Sequence, residues 1–93
     1  MSQIFKELEQ LIAQKQKQNE SCSYTCRLLT EGMLVERKIN EEAYELIEAA
    51  FQGERDKILY EATDLLFHFL VLLRKYDIGL EEIERELIRR RGK

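Results

Sequence analysis

The sequence predicts an all-α fold: an antiparallel helical hairpin with flanking helices, in a bundle completed by dimerisation. Three observations carry this expectation. The 93 residues include no proline, while Leu, Glu, Lys, Arg and Ala abound, which is the composition of a chain of helix formers. Apolar residues recur at three- and four-residue spacing along successive stretches, and nowhere do they alternate with the period of two that marks a half-buried strand. One long stretch is apolar on nearly all sides, and a single small chain has too few helices to cover it. The length allows one small domain, residues 1–93. A domain this short buries only about 60–65% of the surface its unfolded chain exposes, so a second copy would extend its core.

The elements follow in order. Residues 3 to about 19 form an amphipathic helix, with Ile4, Phe5, Leu8, Leu11 and Ile12 on one side. The run Asn19 to Ser23 breaks it. Ser23 then caps a short helix that extends through Thr30 and is closed by Gly32 as the residue after its end. A third helix runs from about Leu34 to Phe51, with Val35, Ile39, Ala43, Leu46 and Ala50 as its apolar stripe. Gln52-Gly53-Glu54 is the turn. A fourth helix, from about Arg55 to Tyr76, carries Ile58, Leu59, Ala62, Leu65, Leu66, Phe69, Leu70, Leu72 and Leu73, with Phe67 and Val71 on its other side. That all-round apolar character predicts burial, and the same helix of a second subunit is the expected cover. Asp77-Ile78-Gly79 ends it, and Leu80, Ile83, Leu87 and Ile88 mark a last helix that frays into Arg89-Arg90-Arg91.

Charge and cysteine usage narrow the function classes. Fifteen Lys and Arg stand against 18 Asp and Glu, a net charge of −3, which lacks the basic excess of a nucleic-acid binder. Cys22 and Cys26 are too few for a disulfide framework, and no neighbouring residue completes a zinc signature. The N-terminus opens polar and turns amphipathic, unlike a signal peptide. The apolar run Phe69 to Leu73 is far short of the ~20 residues of a membrane span. A cytoplasmic protein with reduced thiols and no membrane partner is expected.

The informative residues are acidic. On the third helix, at about 100° per residue, Glu41 and Glu48 lie opposite the apolar stripe and face water, whereas Glu42 lies at its edge with Lys38 and Glu45 on the same flank. On the fourth, Glu61, Asp64 and His68 share one flank. In an antiparallel hairpin centred on Gly53, facing residues have position numbers of constant total. Glu45 with Glu61, Glu42 with Asp64 and Lys38 with His68 all satisfy the same total and stand at matching heights. Four carboxylates can thus converge across the helix pair, at the rim of the apolar seam. Two like charges about 4 Å apart cost around 4 kcal/mol at an effective dielectric near 20, so either some carboxyls are protonated or a divalent cation neutralises them. Hard oxygen donors favour Mg²⁺ or Mn²⁺ over zinc, and Mg²⁺ commonly completes its shell with water and substrate phosphates. The alternative is a solvated acidic face. A di-iron carboxylate bundle would need Glu-x-x-His, but Asp64 stands three residues after Glu61, which counts against iron. His68 is expected to bond a neighbouring acid.

Lys38-x-x-Glu41-Glu42-x-x-Glu45, followed by Glu61-x-x-Asp64-Leu65-Leu66-x-His68-x-Leu70-x-x-Leu73, resembles the phosphoribosyl-ATP pyrophosphohydrolase family of histidine biosynthesis, within the MazG-type all-α nucleotide pyrophosphohydrolases. Ser23-Tyr24-Thr25, then Leu28-Leu29 and Gly32, are the more telling part, and the resemblance spans roughly residues 3 to 90. Arg27 stands where the family usually shows lysine, Asn40 replaces a usual glycine, and Met33 to Arg37 match loosely. None of these departures touches the four carboxylates. The resemblance implies hydrolysis of phosphoribosyl-ATP between its α and β phosphates. It implies Glu42, Glu45, Glu61 and Asp64 as Mg²⁺ ligands and catalytic residues, with Lys38, Arg27 and Tyr24 as substrate contacts. The cyclohydrolase domain fused in some relatives has no room in this chain. Two other readings stand beside it: a general nucleoside triphosphate pyrophosphohydrolase with the same metal chemistry, and a non-enzymatic helical interaction module.

Overall fold

A computed structural model describes residues 2–18 and 23–92, and everything stated below refers to them. Five helices carry the chain: α1 (Gln3–Gln18), α2 (Tyr24–Thr30), α3 (Leu34–Gln52), α4 (Arg55–Lys75) and α5 (Leu80–Arg91). No strand occurs among the described residues. The expected break at Asn19 to Cys22 lies outside them, as does Cys22.

Local chemistry sets the boundaries. The Ser23 side chain accepts the Cys26 amide at 3.1 Å and caps α2. Gly32, at φ 43°, turns the chain out of α2 as the sequence predicts. At the hairpin turn Gly53 adopts φ 73°, ψ 15°, and its amide reaches the carbonyls of Ala49 and Ala50. This left-handed conformation suits a residue without Cβ. The start of α5 is capped from afar, because the Glu9 carboxylate of α1 accepts the Leu80 amide at 2.7 Å. Glu82 folds back in the same way onto the Gly79 amide.

The hairpin of α3 and α4 is the main packed pair, and α1 and α2 lie against α4. The core gathers Ile12 from α1, Leu28 and Leu29 from α2, Val35 from α3, Leu70, Val71 and Leu73 from α4, and Leu80 from α5. It therefore occupies one end of the hairpin. The far end projects from it, and between Ala49 and Glu61 only Ile58 is even half-buried. A clamp joins the near ends. The Lys75 ammonium donates to Gly32 O at 2.6 Å and to both Glu36 carboxylate oxygens at 3.0 and 2.9 Å, while the Tyr76 hydroxyl donates to Glu36 at 2.6 Å. Those bonds hold the Glu36 carboxyl down at about 2, with the Tyr76 bond as the largest cause and Lys75 next.

One expected stripe is corrected. On α3 the fully buried positions are Val35 and Ala49, and Ala50 is exposed. The inward line is Val35, Glu42 and Ala49, seven residues apart. Ile39, Ala43 and Leu46, together with Ala62, Leu65, Leu66 and Phe69 of α4, line an open apolar trough of about 560 Å³, and Ile39 and Phe69 also pack against the core. None of the described helices is long and apolar enough to cross a membrane.

Candidate active site

The inward lines of the two long helices both carry polar groups. Glu42 stands between Val35 and Ala49 on α3, and on α4 the buried Glu61 and His68 are likewise seven residues apart. A heptad step returns nearly to the same side of a helix, so both lines face the shared interior. Glu61 is 8% exposed and His68 5%. Burial raises the Glu61 carboxyl above its ordinary value, and the negative charge of Glu45, hydrogen bonding with Glu45 and the charge of Asp64 push it further. Glu42 is also raised, first by burial and then by Asp64 and Glu45, against the opposing pull of His68 and Lys38. The pairs Glu45–Glu61 and Glu42–Asp64 therefore feel one another across the hairpin, at the heights that the turn sets.

His68 is the hub. Its Nδ1 lies 2.9 Å from the Asp64 carbonyl one turn back and 2.7 Å from Glu42 Oε1. The Tyr24 hydroxyl, brought in by α2, meets Nε2 at 2.6 Å, and the two rings cross nearly edge to face at 81°. Since both neighbours of Nδ1 are acceptors, the ring carries a proton there, and Nε2 accepts from Tyr24. Burial raises the Tyr24 hydroxyl, with Lys38 opposing and Glu42, Asp64 and Glu41 reinforcing.

The remaining sequence-predicted residues surround this centre. Lys38 is half-exposed and pairs with Glu41 at 3.6 Å. His68 Nδ1 thus stands 2.7 Å from Glu42 Oε1, while Lys38 pairs with Glu41 on its own helix. Glu41 is exposed, as its outward direction predicts, and so is Glu45. Arg27 lies exposed on α2 and bonds Glu31 at 2.8 Å. Sequence reasoning missed the Tyr24–His68 bond, which joins residues 44 apart on different helices.

Among the described residues, no three His, Cys, Asp or Glu side chains stand assembled as a metal cage. The donor set nevertheless fits a hard cation. Two buried carboxylate oxygens, Glu42 Oε1 and Glu61 Oε1, complete no hydrogen bond. Glu42 Oε1 is close to His68 Nδ1 but off the axis of its N–H, which aims at the Asp64 carbonyl. Buried carboxylate oxygens without partners are costly, and a cation offsets that cost. The donors are carboxylates, and Cys26, the free thiol among the described residues, is buried on α2 within the sequence Tyr24–Thr30.

The family model described as phosphoribosyl-ATP pyrophosphohydrolase matches residues 5–91. The phosphoribosyl-ATP pyrophosphatase of Vesicomyosocius okutanii is 43% identical over 93 residues, spanning 99% of this chain and 89% of that protein. Its namesake in Pyrobaculum aerophilum is 40% identical over 89 residues, spanning 95% of each. The histidine biosynthesis bifunctional protein HisIE of Pyrococcus furiosus is 44% identical over 89 residues, spanning 95% of this chain but 41% of that longer protein.

Proposed function

The chain belongs to the phosphoribosyl-ATP pyrophosphohydrolase family, and from that premise we propose that it hydrolyses phosphoribosyl-ATP to phosphoribosyl-AMP and pyrophosphate with Mg²⁺ held by Glu42, Glu45, Glu61 and Asp64. Membership makes it a hydrolase of histidine biosynthesis and sets aside the non-enzymatic helical module. The observation that carries the metal reading is the pair of buried, unpartnered oxygens Glu42 Oε1 and Glu61 Oε1 on facing helices. Mn²⁺, another oxygen-seeking dication, is the natural substitute.

When bound, the ion supplies positive charge that polarises the attacked phosphate and offsets charge on the departing pyrophosphate. The protein does the rest. The acids stand on two packed helices, α3 and α4, which limits how far their oxygens must move to meet an ion. Burial raises the Glu61 and Glu42 carboxyls, and a cation at their oxygens would offset the cost of the charged forms. One of these four carboxylates, not fully engaged with the ion, would take a proton from the attacking water, and the outward direction of Glu41 removes it from that role. Lys38, one turn before Glu42, exchanges its partner Glu41 for a phosphate oxygen, and Arg27 and Tyr24 contact the substrate from α2.

The reading also assigns the enzyme to the cytoplasm and to a homodimer. Support for the dimer is the open apolar trough lined by residues of α3 and α4, among them the exposed Leu66. A second copy of the same hairpin would cover it with matching chemistry. The test of function is product analysis after incubation of phosphoribosyl-ATP with and without Mg²⁺, beside a panel of ordinary and damaged nucleoside triphosphates. Phosphoribosyl-AMP and pyrophosphate, formed only with the metal, are expected. A preference for a deoxynucleoside triphosphate would overturn the substrate assignment, and turnover unaffected by chelation would overturn the metal.

A further inference from the structure

The side chain that touches the most members of the site is not one of the acids. His68 sits 5% exposed between all three helices that build the site: its own α4 through the Asp64 carbonyl, α3 through Glu42, and α2 through Tyr24. We propose that His68 is a positioning residue, whose ring, fixed on one nitrogen by Tyr24, uses the other to hold the Glu42 carboxylate where the site takes its cation. The proposal rests on the metal reading above.

The geometry supports a positioning role over a ligating one. Both ring nitrogens are already committed to protein partners, at 2.6 Å on Nε2 and 2.9 Å on Nδ1. Their lone-pair and proton assignment leaves neither free for a metal. Meanwhile Nδ1 stands 2.7 Å from Glu42 Oε1 without completing a hydrogen bond to it. The Nδ1 edge of the ring, in contact with the carboxylate, limits where that group can lie, while the oxygen completes no hydrogen bond. A carboxylate fully bonded to a donor would be a poorer ligand, and one with no neighbour would rotate away. Groups behind a ligand commonly set its orientation in this way. Tyr24 and Phe67 confine the ring edge-on, at centroid distances of 5.6 and 5.3 Å, so it has little freedom to turn.

Two amides separate the nitrogens in an experiment. His68→Asn keeps a donor near the position of Nδ1, His68→Gln keeps a polar group near that of Nε2, and His68→Leu keeps neither. Mn²⁺ affinity of the metal-free protein is measured by calorimetry and by the electron paramagnetic resonance of free Mn²⁺, with a melting curve for every variant. Weakening by about 10–100-fold is expected for Leu and Gln, the range usual for groups that orient a ligand. Asn should restore most of the affinity, and Tyr24→Phe should weaken it less than Gln does. Activity of the Gln variant should recover at high Mn²⁺ with KM for substrate little changed, which a folding defect would not give. Equal Mn²⁺ affinity across the variants, or losses that follow melting temperature whichever nitrogen is mimicked, overturns the proposal and leaves the metal reading standing. Failure of the unaltered protein to bind Mn²⁺ overturns both.

Discussion

Replacing Glu36 by Gln removes one charge from the clamp at the base of the hairpin and changes almost nothing in shape. Glu36 receives Lys75 on both oxygens and Tyr76 on one, and these bonds lower its carboxyl from 4.5 to about 2. At about 1.36 kcal/mol per pKa unit, that difference corresponds to roughly 3 kcal/mol as an upper bound. The clamp lies at the edge of the fold, with side-chain exposures of 18% for Lys75 and 20% for Glu36, so water screens it. About 1–2 kcal/mol is the retained contribution. For a domain of this size that lowers the melting temperature by roughly 4–16 °C. The sign follows from a depressed carboxyl: the stabilisation is fully present above about 4.5 and is lost as pH falls toward about 2. Urea unfolding of the two proteins between pH 7 and pH 3 measures this directly. The gap should be widest at neutral pH and narrow steadily in acid. A gap that is negligible at pH 7, or that grows on acidification, would refute the assignment of Glu36 as the charged centre of the clamp.

Three further outcomes are expected. Glu42→Gln and Asp64→Asn should each reduce turnover by more than the about 100-fold that loss of a supporting group causes, with circular dichroism unchanged; wild-type turnover from both would remove them from the site. Glu61→Gln should raise the melting temperature of the metal-free protein at pH 7, since burial and Glu45 disfavour the charged form, and a lower value would contradict that electrostatic reading. Leu66→Glu, which puts a charge in the trough, should convert a dimer in sedimentation equilibrium to a species of 11.1 kDa, and an unaltered protein already at that mass would overturn the dimer.

The helices were legible in the sequence because their punctuation is local. Ser23, Gly32 and Gly53 act within a turn of their own positions, and the ends of α3 and α4 fall within a residue of those expected. Orientation around each helix was less legible. The apolar stripe Ile39, Ala43 and Leu46 is real, but it lines the trough, whereas the inward line runs through a carboxylate and so does not read as apolar. Periodicity shows that a face is greasy without showing what covers it. Position totals across Gly53 set height along the hairpin but not which groups pair, and Lys38 meets Glu41 while His68 meets Glu42. Tyr24 and His68 are joined by tertiary packing of α2 on α4, for which no local spacing is a signal.

With its apolar centre gathered at one end, the hairpin behaves as a pair of tongs gripped near the handle. Amides beside Leu70 and Val71 should be the slowest to exchange with deuterium, and those around Gly53 the fastest. The acids lie partway out along the two arms. Anything that ties Glu42 and Glu45 to Glu61 and Asp64 pins the arms beyond the reach of the handle, so loading the site should slow exchange at the tips more than at the grip.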